Sequence, residues 1–575
     1  MKNILSFIAC IFISLVLLQY RIANSDLKSG HQPLKVTEWD AFGYYIYLPA
    51  IGIYHDYKEL KWLGAIDEQY HVTGGNGWQA MKVENGNYVF KYLGGIALMQ
   101  LPLFITAHYL AQLYGYPADG FSAPYQYTLG FGLLVYCLLA LLLLRVVLLR
   151  FFSDLVTAVT LVMVCLATNF IQYAAVDNGQ SHGYLFVLYA VVLYATMKWH
   201  ERPATGWAIL TGYIVGLATM SRPTEAIMVL IPLLWNTQDK TTANTKWLLV
   251  RNNRKHIVYA AIAGLAGIAP QLIYWKLSTG SFVFDVGSKW DFLNPHFRVL
   301  LGWEKGWFIY TPVTLGFVAG LWLIRKFPFR KSVLWFGLLN IYIIIAWHEW
   351  RYGGSYATRA LVQSYPVFAL PFAALLTQLT NTKWRLPVYL VLGYLLCVNL
   401  FQTVQYCSTI LHYDDMNRKY YGAIYLDPDP TPEDMSLLDN EELLTHEDQY
   451  RKTVVGDTSI PGQISFAANG SATLLQQPVT GNSATEAWIK IESRIKAPGC
   501  LWQSFMHATI TSGIMTKDAR VRLFSPISKD TATNTYALYM RIPADHHSST
   551  VRVYLSSASD FRGSVERVSV SRFEK

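Results

Sequence analysis

The run PYQYTLGFGLLVYCLLALLLL fills Pro124–Leu144 without one charged residue, and Arg145 closes it. About 20 mostly apolar residues can cross the roughly 30 Å hydrocarbon core of a bilayer as a helix, which satisfies its own backbone polar groups where no water can. Runs of the same kind lie on both sides. Upstream are Ile4–Tyr20 and Tyr92–Pro117, and directly downstream Leu155–Val176, Asn178–Met197 and Pro203–Ser221. Ala226–Gln238, Ile257–Trp275, Gly306–Ile324, Ser332–Trp347, Ala360–Thr382 and Leu386–Ile410 complete twelve. The first 410 residues therefore read as an α-helical polytopic membrane domain.

Composition agrees. Of 575 residues only 15% are charged, against about 25% in ordinary soluble proteins, and the mean hydropathy is +0.24 although the last third is polar. The net charge of +9 does not point to nucleic acid, because the basic clusters sit between apolar runs, where they act as topology determinants. Five such loops carry Arg145 and Arg150; Lys198 and Arg202; Lys240, Lys246, Arg251, Arg254 and Lys255; Arg325, Lys326, Arg330 and Lys331; and Lys383 with Arg385. With these loops and the Lys2 end on the cytoplasmic side, the alternation closes at about 11 transmembrane helices if one early run does not cross. Tyr92–Pro117, with Gly94, Gly95, Pro102 and His108, is the run expected to form an interfacial or re-entrant helix instead of crossing. The amino terminus is then cytoplasmic, and the first run is expected to be an uncleaved anchor rather than a signal peptide, since no small-x-small cleavage site follows it cleanly. A large first loop, residues 21–123, lies outside, as does everything after Ile410.

The tail divides in two. Residues 411–450 form an acidic, proline-broken linker containing Asp427-Pro-Asp-Pro-Thr-Pro, followed by a short helix expected around Glu441 and Glu442. Residues 451–575 show strand-like segments at Glu486–Ile495, Ala519–Ile527, Tyr536–Ile542, Thr550–Leu555 and Ser564–Phe573. In the first, Ala487, Ile489, Ile491 and Ile495 share one face and Lys490, Glu492 and Arg494 the other, the pattern of a half-buried antiparallel strand, and its recurrence predicts an all-β sandwich. Cys10, Cys137, Cys165 and Cys397 fall in apolar runs with no metal or redox spacing, while Cys407 and Cys500 could pair in an oxidising compartment or stay free.

A transporter should carry ionisable groups near mid-membrane, and almost none are present. Charges gather instead at one set of span ends and outer loops: Glu38, Asp40 and Lys91; Asp177; Arg222 and Glu225; Asp285, Lys289, Asp291, Arg298, Glu304 and Lys305; His348, Glu349, Arg351 and Arg359. One outward polar chamber would collect them. Acids among several cations suit a reaction in which a carboxylate removes a proton and fixed positive charge stabilises a leaving phosphate. Each residue also has a plainer reading. Asp40 could N-cap an interfacial helix, Arg222-Pro223 could end a span, and Lys305 and Arg351 could be basic anchors in a tryptophan belt. His182 reads as a helix-start polar residue, Asp56 and Asp67-Glu68 as solvated surface, and His348-Glu349 lacks the second histidine of a zinc motif.

Five segments in order, all on the outer side, carry a resemblance: Asp40 with Tyr44-Tyr45; Lys91-Tyr-Leu-Gly94-Gly-Ile-Ala-Leu-Met-Gln-Leu-Pro102; Gly216-Leu-Ala-Thr-Met-Ser-Arg222-Pro223; Glu304-Lys-Gly306-Trp-Phe-Ile-Tyr-Thr-Pro312; and Trp350-Arg-Tyr-Gly-Gly-Ser-Tyr-Ala-Thr-Arg359. Residues 1–410 resemble the GT-C class of integral-membrane glycosyltransferases, in the branch of protein O-mannosyltransferases and the lipid A aminoarabinose transferase. The resemblance implies a polyprenyl-phosphate sugar donor, a glycan, lipid or protein acceptor, and transfer with inversion on the outer face of a bacterial-type inner membrane. Asp40 is then the base, with Glu38 as its second acid, and Lys91, Lys305, Arg351 and Arg359 receive the phosphate with Arg222 behind them. Asp40 is not followed directly by a second acid as in the commonest family form, and two carboxylates make a poor octahedral metal site, so no metal or other cofactor is assigned. The competing readings are a lipid-linked glycan flippase or polysaccharide transporter, and a membrane-anchored assembly scaffold.

Overall fold

Lipid offers an uncharged run of 20 residues a single backbone solution, and the computed structural model adopts it repeatedly. It describes residues 3–25, 35–75, 77–480, 487–497, 501–512, 515–524, 533–542 and 548–575. Among the described residues, six helices are long and apolar enough to cross a membrane: Ile4–Ala23, Gly95–Tyr114, Ala123–Leu149, Arg254–Thr279, Arg359–Thr380 and Arg385–Cys407. The protein is a multi-pass membrane protein. Gly95–Tyr114 lies in the stretch expected along the interface, yet it runs 20 residues with Pro102 inside it, and by length and hydropathy it stands with the other five. The run Gly306–Ile324 behaves in the opposite way. It breaks into the short helices Trp307–Tyr310 and Thr314–Gly320, because Pro312 lacks the amide a continuous helix needs and keeps Thr311 out of helical geometry.

The chain divides into two compact units, Met1–Leu400 and Phe401–Lys575. In the first, the Ser181–Glu201 helix is buried along most of its length. The Thr205–Ser221 and Arg254–Thr279 helices approach so closely that a Cβ on Gly212 would meet the Ala260 carbonyl oxygen at 1.9 Å, and one on Gly216 the Gly264 carbonyl oxygen at 2.1 Å. Small residues at such crossings let backbones touch, which in lipid replaces the hydrophobic drive between helices. Arg145 donates to Ser6 Oγ and the Asn3 carbonyl, Asp154 accepts the Leu5 and Ser6 amides, and Arg150 pairs with Glu201, so the basic loop residues also tie helix ends together. At the other end of the first helix, about 30 Å away at 1.5 Å per residue, Arg21 donates to the Val176 carbonyl and Asn178 Oδ1. The two ends of this unit are therefore built from different segments, and the loop that follows Ala23 lies at the Arg21 end. That loop contains the helix Trp39–Tyr45 and the two-stranded hairpin β1 (Ala80–Lys82) and β2 (Tyr88–Phe90).

In the second unit β3 (Arg451–Thr458), β4 (Gln463–Phe466), β5 (Ser471–Thr480), β6 (Ala487–Lys496), β7 (Leu501–Ser512), β8 (Met515–Leu523), β9 (Asn534–Ile542), β10 (Ser548–Ser557) and β11 (Phe561–Glu574) form two antiparallel sheets. Their orders are β5-β10-β7-β8 and β3-β11-β6-β9, with β4 also on β11. Ala487, Ile489, Ile491 and Ile495 join Met506, Ile510, Val551 and Val570 in one core between the sheets, the sandwich that the alternation predicts. The short helix expected at Glu441-Glu442 is instead Pro432–Ser436, capped by Thr431 and started by Pro432. Glu442 lies in irregular chain and binds Lys517 at 2.6 Å. Cys500, the end of the expected Ala519–Ile527 strand and the start of the Glu486–Ile495 strand lie outside the described residues.

Candidate functional site

Asp40 sits in the first turn of the Trp39–Tyr45 helix, but it does not cap it. Glu38 holds the N-cap position without a side-chain bond to the helix, and the Asp40 carboxylate turns away toward two donors. Arg359 Nη2 donates to Asp40 Oδ2 at 2.5 Å and Tyr92 Oη to Asp40 Oδ1 at 2.9 Å. Arg359 Nη1 also donates to Gln180 Oε1 at 2.8 Å. Residues 40, 92, 180 and 359 thus meet from four separate segments. A charge-assisted bond of this length inside a part-buried site is stronger than a neutral one and fixes the carboxylate's orientation.

The local backbone is built for this meeting. Gly43 leaves the notch that Tyr92 fills, since a Cβ there would lie 2.1 Å from Tyr92 Cδ2. The Tyr44 and Tyr92 rings pack with centroids 4.6 Å apart. Trp39, with φ 52°, and Ala357, with φ 54°, stand in the left-handed region on the approaches to Asp40 and Arg359. A tryptophan there is strained, a state that costs about 1–3 kcal/mol and persists only where surrounding structure imposes it. The Trp39 amide donates to the Val72 carbonyl at 3.1 Å, one of the contacts that impose it.

The other candidate residues separate. Glu38 pairs with Lys35 at 3.0 Å, and burial pushes its carboxyl above the usual value against the pull of Lys35. Lys91, half-buried, lies 4.9 Å over the Trp78 ring, which itself packs on Tyr92. Lys305 is 1% exposed and donates to the Gly353 and Ser355 carbonyls at 3.0 and 3.1 Å and to Ser355 Oγ at 3.0 Å, so it braces the loop leading to Arg359. Arg351 is exposed and lies over the Trp350 ring at 5.3 Å. Arg222 is different again. Its Nη1 is buried with no hydrogen-bond partner, and Glu225, three residues on, instead accepts from Tyr189 Oη and, at 3.1 Å, from Gln363 Nε2. Among the described residues no group of three or more His, Cys, Asp or Glu side chains could hold a metal ion.

The neutral residues Tyr92, Gln180, Tyr189 and Gln363 carry much of this site, and charge-based reading passes over them. One available signal was an amide inside an apolar run, as at Gln363 in Arg359-Ala-Leu-Val-Gln363.

No protein-family model and no curated protein sequence matches the chain. Solved structures do resemble it. ArnT from Cupriavidus metallidurans bound to undecaprenyl phosphate is similar at 13% identity over 74% of this chain and 68% of that one, with a TM-score of 0.43. The archaeal oligosaccharyltransferase AglB from Archaeoglobus fulgidus, in complex with an inhibitory peptide and a dolichol-phosphate, is similar at 12% identity over 76% and 61%, with a TM-score of 0.42. The arabinosyltransferase EmbB from Mycobacterium smegmatis is similar at 11% identity over 77% and 57%, with a TM-score of 0.27.

Proposed function

We propose that the protein is a membrane glycosyltransferase of the GT-C class that moves a sugar from a polyprenyl-phosphate carrier to a hydroxyl-bearing glycan, lipid or protein. The observation that carries this reading is the Asp40 carboxylate, fixed at 2.5 Å by Arg359 and at 2.9 Å by Tyr92, in a site that also holds the unpaired, buried Arg222 guanidinium nitrogen. A carboxylate has about four lone-pair directions, and the two donors leave others open to an incoming hydroxyl.

In the proposed step the acceptor hydroxyl gives its proton to Asp40 while its oxygen attacks the anomeric carbon. The bond from that carbon to the phosphate oxygen breaks, its electron pair leaves with the polyprenyl phosphate, and single displacement inverts the centre. Arg222 supplies fixed positive charge for that phosphate, and Lys91 and the exposed Arg351 flank its approach. Arg359 acts through Asp40, Lys305 through the loop it braces, and Glu38 stays with Lys35 as the nearest other acid in sequence. The positive charge of the basic loops supports a site on the outer face, with the amino terminus cytoplasmic and the β-sandwich outside.

The test is release of polyprenyl phosphate from radiolabelled polyprenyl-phosphate sugars by the purified protein in lipid. Release that depends on an added acceptor supports the reading. Translocation of the lipid-linked sugar without release would replace it with a flippase.

A further inference from the structure

His182 is the second residue of the Ser181–Glu201 helix, 4% exposed, and the transferase chemistry above does not use it. Its Nδ1 lies 2.9 Å from Gln363 Oε1. The tautomer follows from the neighbours. The Glu225 carboxylate accepts only, so the Gln363 amide must turn its NH2 to Glu225 and its oxygen to His182. That oxygen requires a proton on Nδ1, which leaves Nε2 of the neutral ring with a lone pair. A second proton is opposed by the amino-terminal end of the helix, where a cation is unfavourable. Tyr189 completes the chain by donating to the other Glu225 oxygen. Three buried side chains from three segments thus hold one imidazole in one state, the way outer partners set the tautomer of a working histidine.

The free edge of that imidazole has no hydrogen-bond partner among the described residues, and Arg222 Nη1 is buried and unpartnered. Buried polar atoms without partners are rare in native structures, and one explanation is a group that arrives later. The place is next to the proposed reaction centre. Gln180, two residues before His182, accepts from Arg359, and Gln363 is one helical turn beyond Arg359. The segments that fix Asp40 therefore also fix His182.

We propose that His182 determines donor specificity: its Nε2 accepts a hydrogen bond from one hydroxyl of the transferred sugar, and Gln363 with Glu225 keeps that nitrogen unprotonated. This rests on the transferase reading. A site built to accept from a hydroxyl rejects the analogue that lacks it, because the buried acceptor is then left unpaired. A deoxy, fluoro or O-methyl group at that ring position offers no proton to Nε2.

The experiment compares kcat/KM for polyprenyl-phosphate sugars carrying a single deoxy position, walked around the ring of the sugar the wild-type protein transfers. Wild type is expected to disfavour one deoxy donor about 10- to 100-fold. His182→Asn reproduces the Nδ1 donor to Gln363 but presents nothing where Nε2 stood, so it should fold normally, transfer the parent sugar at the rate of the deoxy one, and lose the discrimination. His182→Gln reaches the Nε2 position and should restore part of it. If His182→Asn, with a wild-type melting temperature, discriminates as well as wild type, the proposal is overturned and the transferase reading stands. Transfer of every deoxy donor by wild type within about threefold of the parent would overturn it in the same way. No transfer by wild type from any donor overturns both.

Discussion

Replacing Arg222 by methionine removes a charge whose Nη1 has no hydrogen-bond partner. Its Nη1 is buried and unbonded, and Glu225 is already held by Tyr189 and Gln363, so the substitution breaks no hydrogen bond or ion pair of that side chain among the described residues. The Glu225 charge acts on Arg222 through space, and burying a guanidinium nitrogen without a hydrogen bond offsets that attraction. The melting temperature of Arg222→Met should therefore be unchanged or higher. Ligand affinity should move the other way. A hydrogen bond to a charged group contributes about 1.5–3 kcal/mol, and about 1.4 kcal/mol is tenfold, so binding of a polyprenyl phosphate should weaken about 10- to 150-fold. Arg222→Lys keeps the charge but not the planar fork and should fall between. The assay is equilibrium binding of radiolabelled polyprenyl phosphate to protein in lipid, with thermal melts in parallel. A melting temperature lowered by several degrees with affinity unchanged would refute the reasoning, because Arg222 would then be a structural cation.

Gly43→Ala places a Cβ 2.1 Å from Tyr92 Cδ2; the ring must leave Asp40, and turnover should fall about 10- to 100-fold, given how steeply misplacement is felt, while membrane insertion measured by protease protection stays intact. Lys305→Met removes three hydrogen bonds and leaves the Ser355 carbonyl without that donor, while the Gly353 carbonyl keeps Ser355 Oγ, so it should lower stability by about 1–3 kcal/mol; an unchanged melting temperature would remove it as the brace of the Arg359 loop. In the sandwich, burial holds the His507 imidazole below the usual histidine value against the opposing charge of Asp518. The unfolded chain then binds more protons as pH falls below about 6.5, so this contribution is fully present above that pH and lost below it. The opening free energy of β7 and β10 amides, taken from hydrogen exchange corrected for the intrinsic rate at each pH, should fall from pH 7 to pH 5.5, and His507→Phe, which keeps the stack on Tyr554 at 4.6 Å, should flatten the response.

The membrane runs were legible because lipid admits no other backbone, and the sandwich because Ala487, Ile489, Ile491 and Ile495 alternate with polar residues. The strands that periodicity missed lack that contrast. β5 carries Pro478 and lies at the edge of its sheet, where a missing amide costs least. The Gly306–Ile324 run showed no charge, and hydropathy counts residues without weighing what Pro312 does to a helix. At the site, Asp40 and Arg359 stand out as charges, but 319 residues separate them and nothing in either local sequence says that they meet. The division of labour among the cations was illegible for the same reason. Lys305 and Arg222 look alike as basic residues at span ends; only the carbonyls around one and the unpaired nitrogen of the other distinguish a brace from a free charge. His182 and Gln363 carry no net charge, and their significance lies in a hydrogen-bond order that spacing does not encode.

The most direct test of the account is Asp40→Asn beside wild type, measuring release of polyprenyl phosphate from the radiolabelled sugar donor. The amide can present its oxygen to Arg359 and its NH2 to the Tyr92 oxygen, so the fold and the affinity for polyprenyl phosphate should persist while the base is lost. A positioned general base contributes about 10²- to 10⁴-fold, and release should fall by that factor. Release by the folded variant within about threefold of wild type would contradict the account, because Asp40 would then take no part in the chemical step.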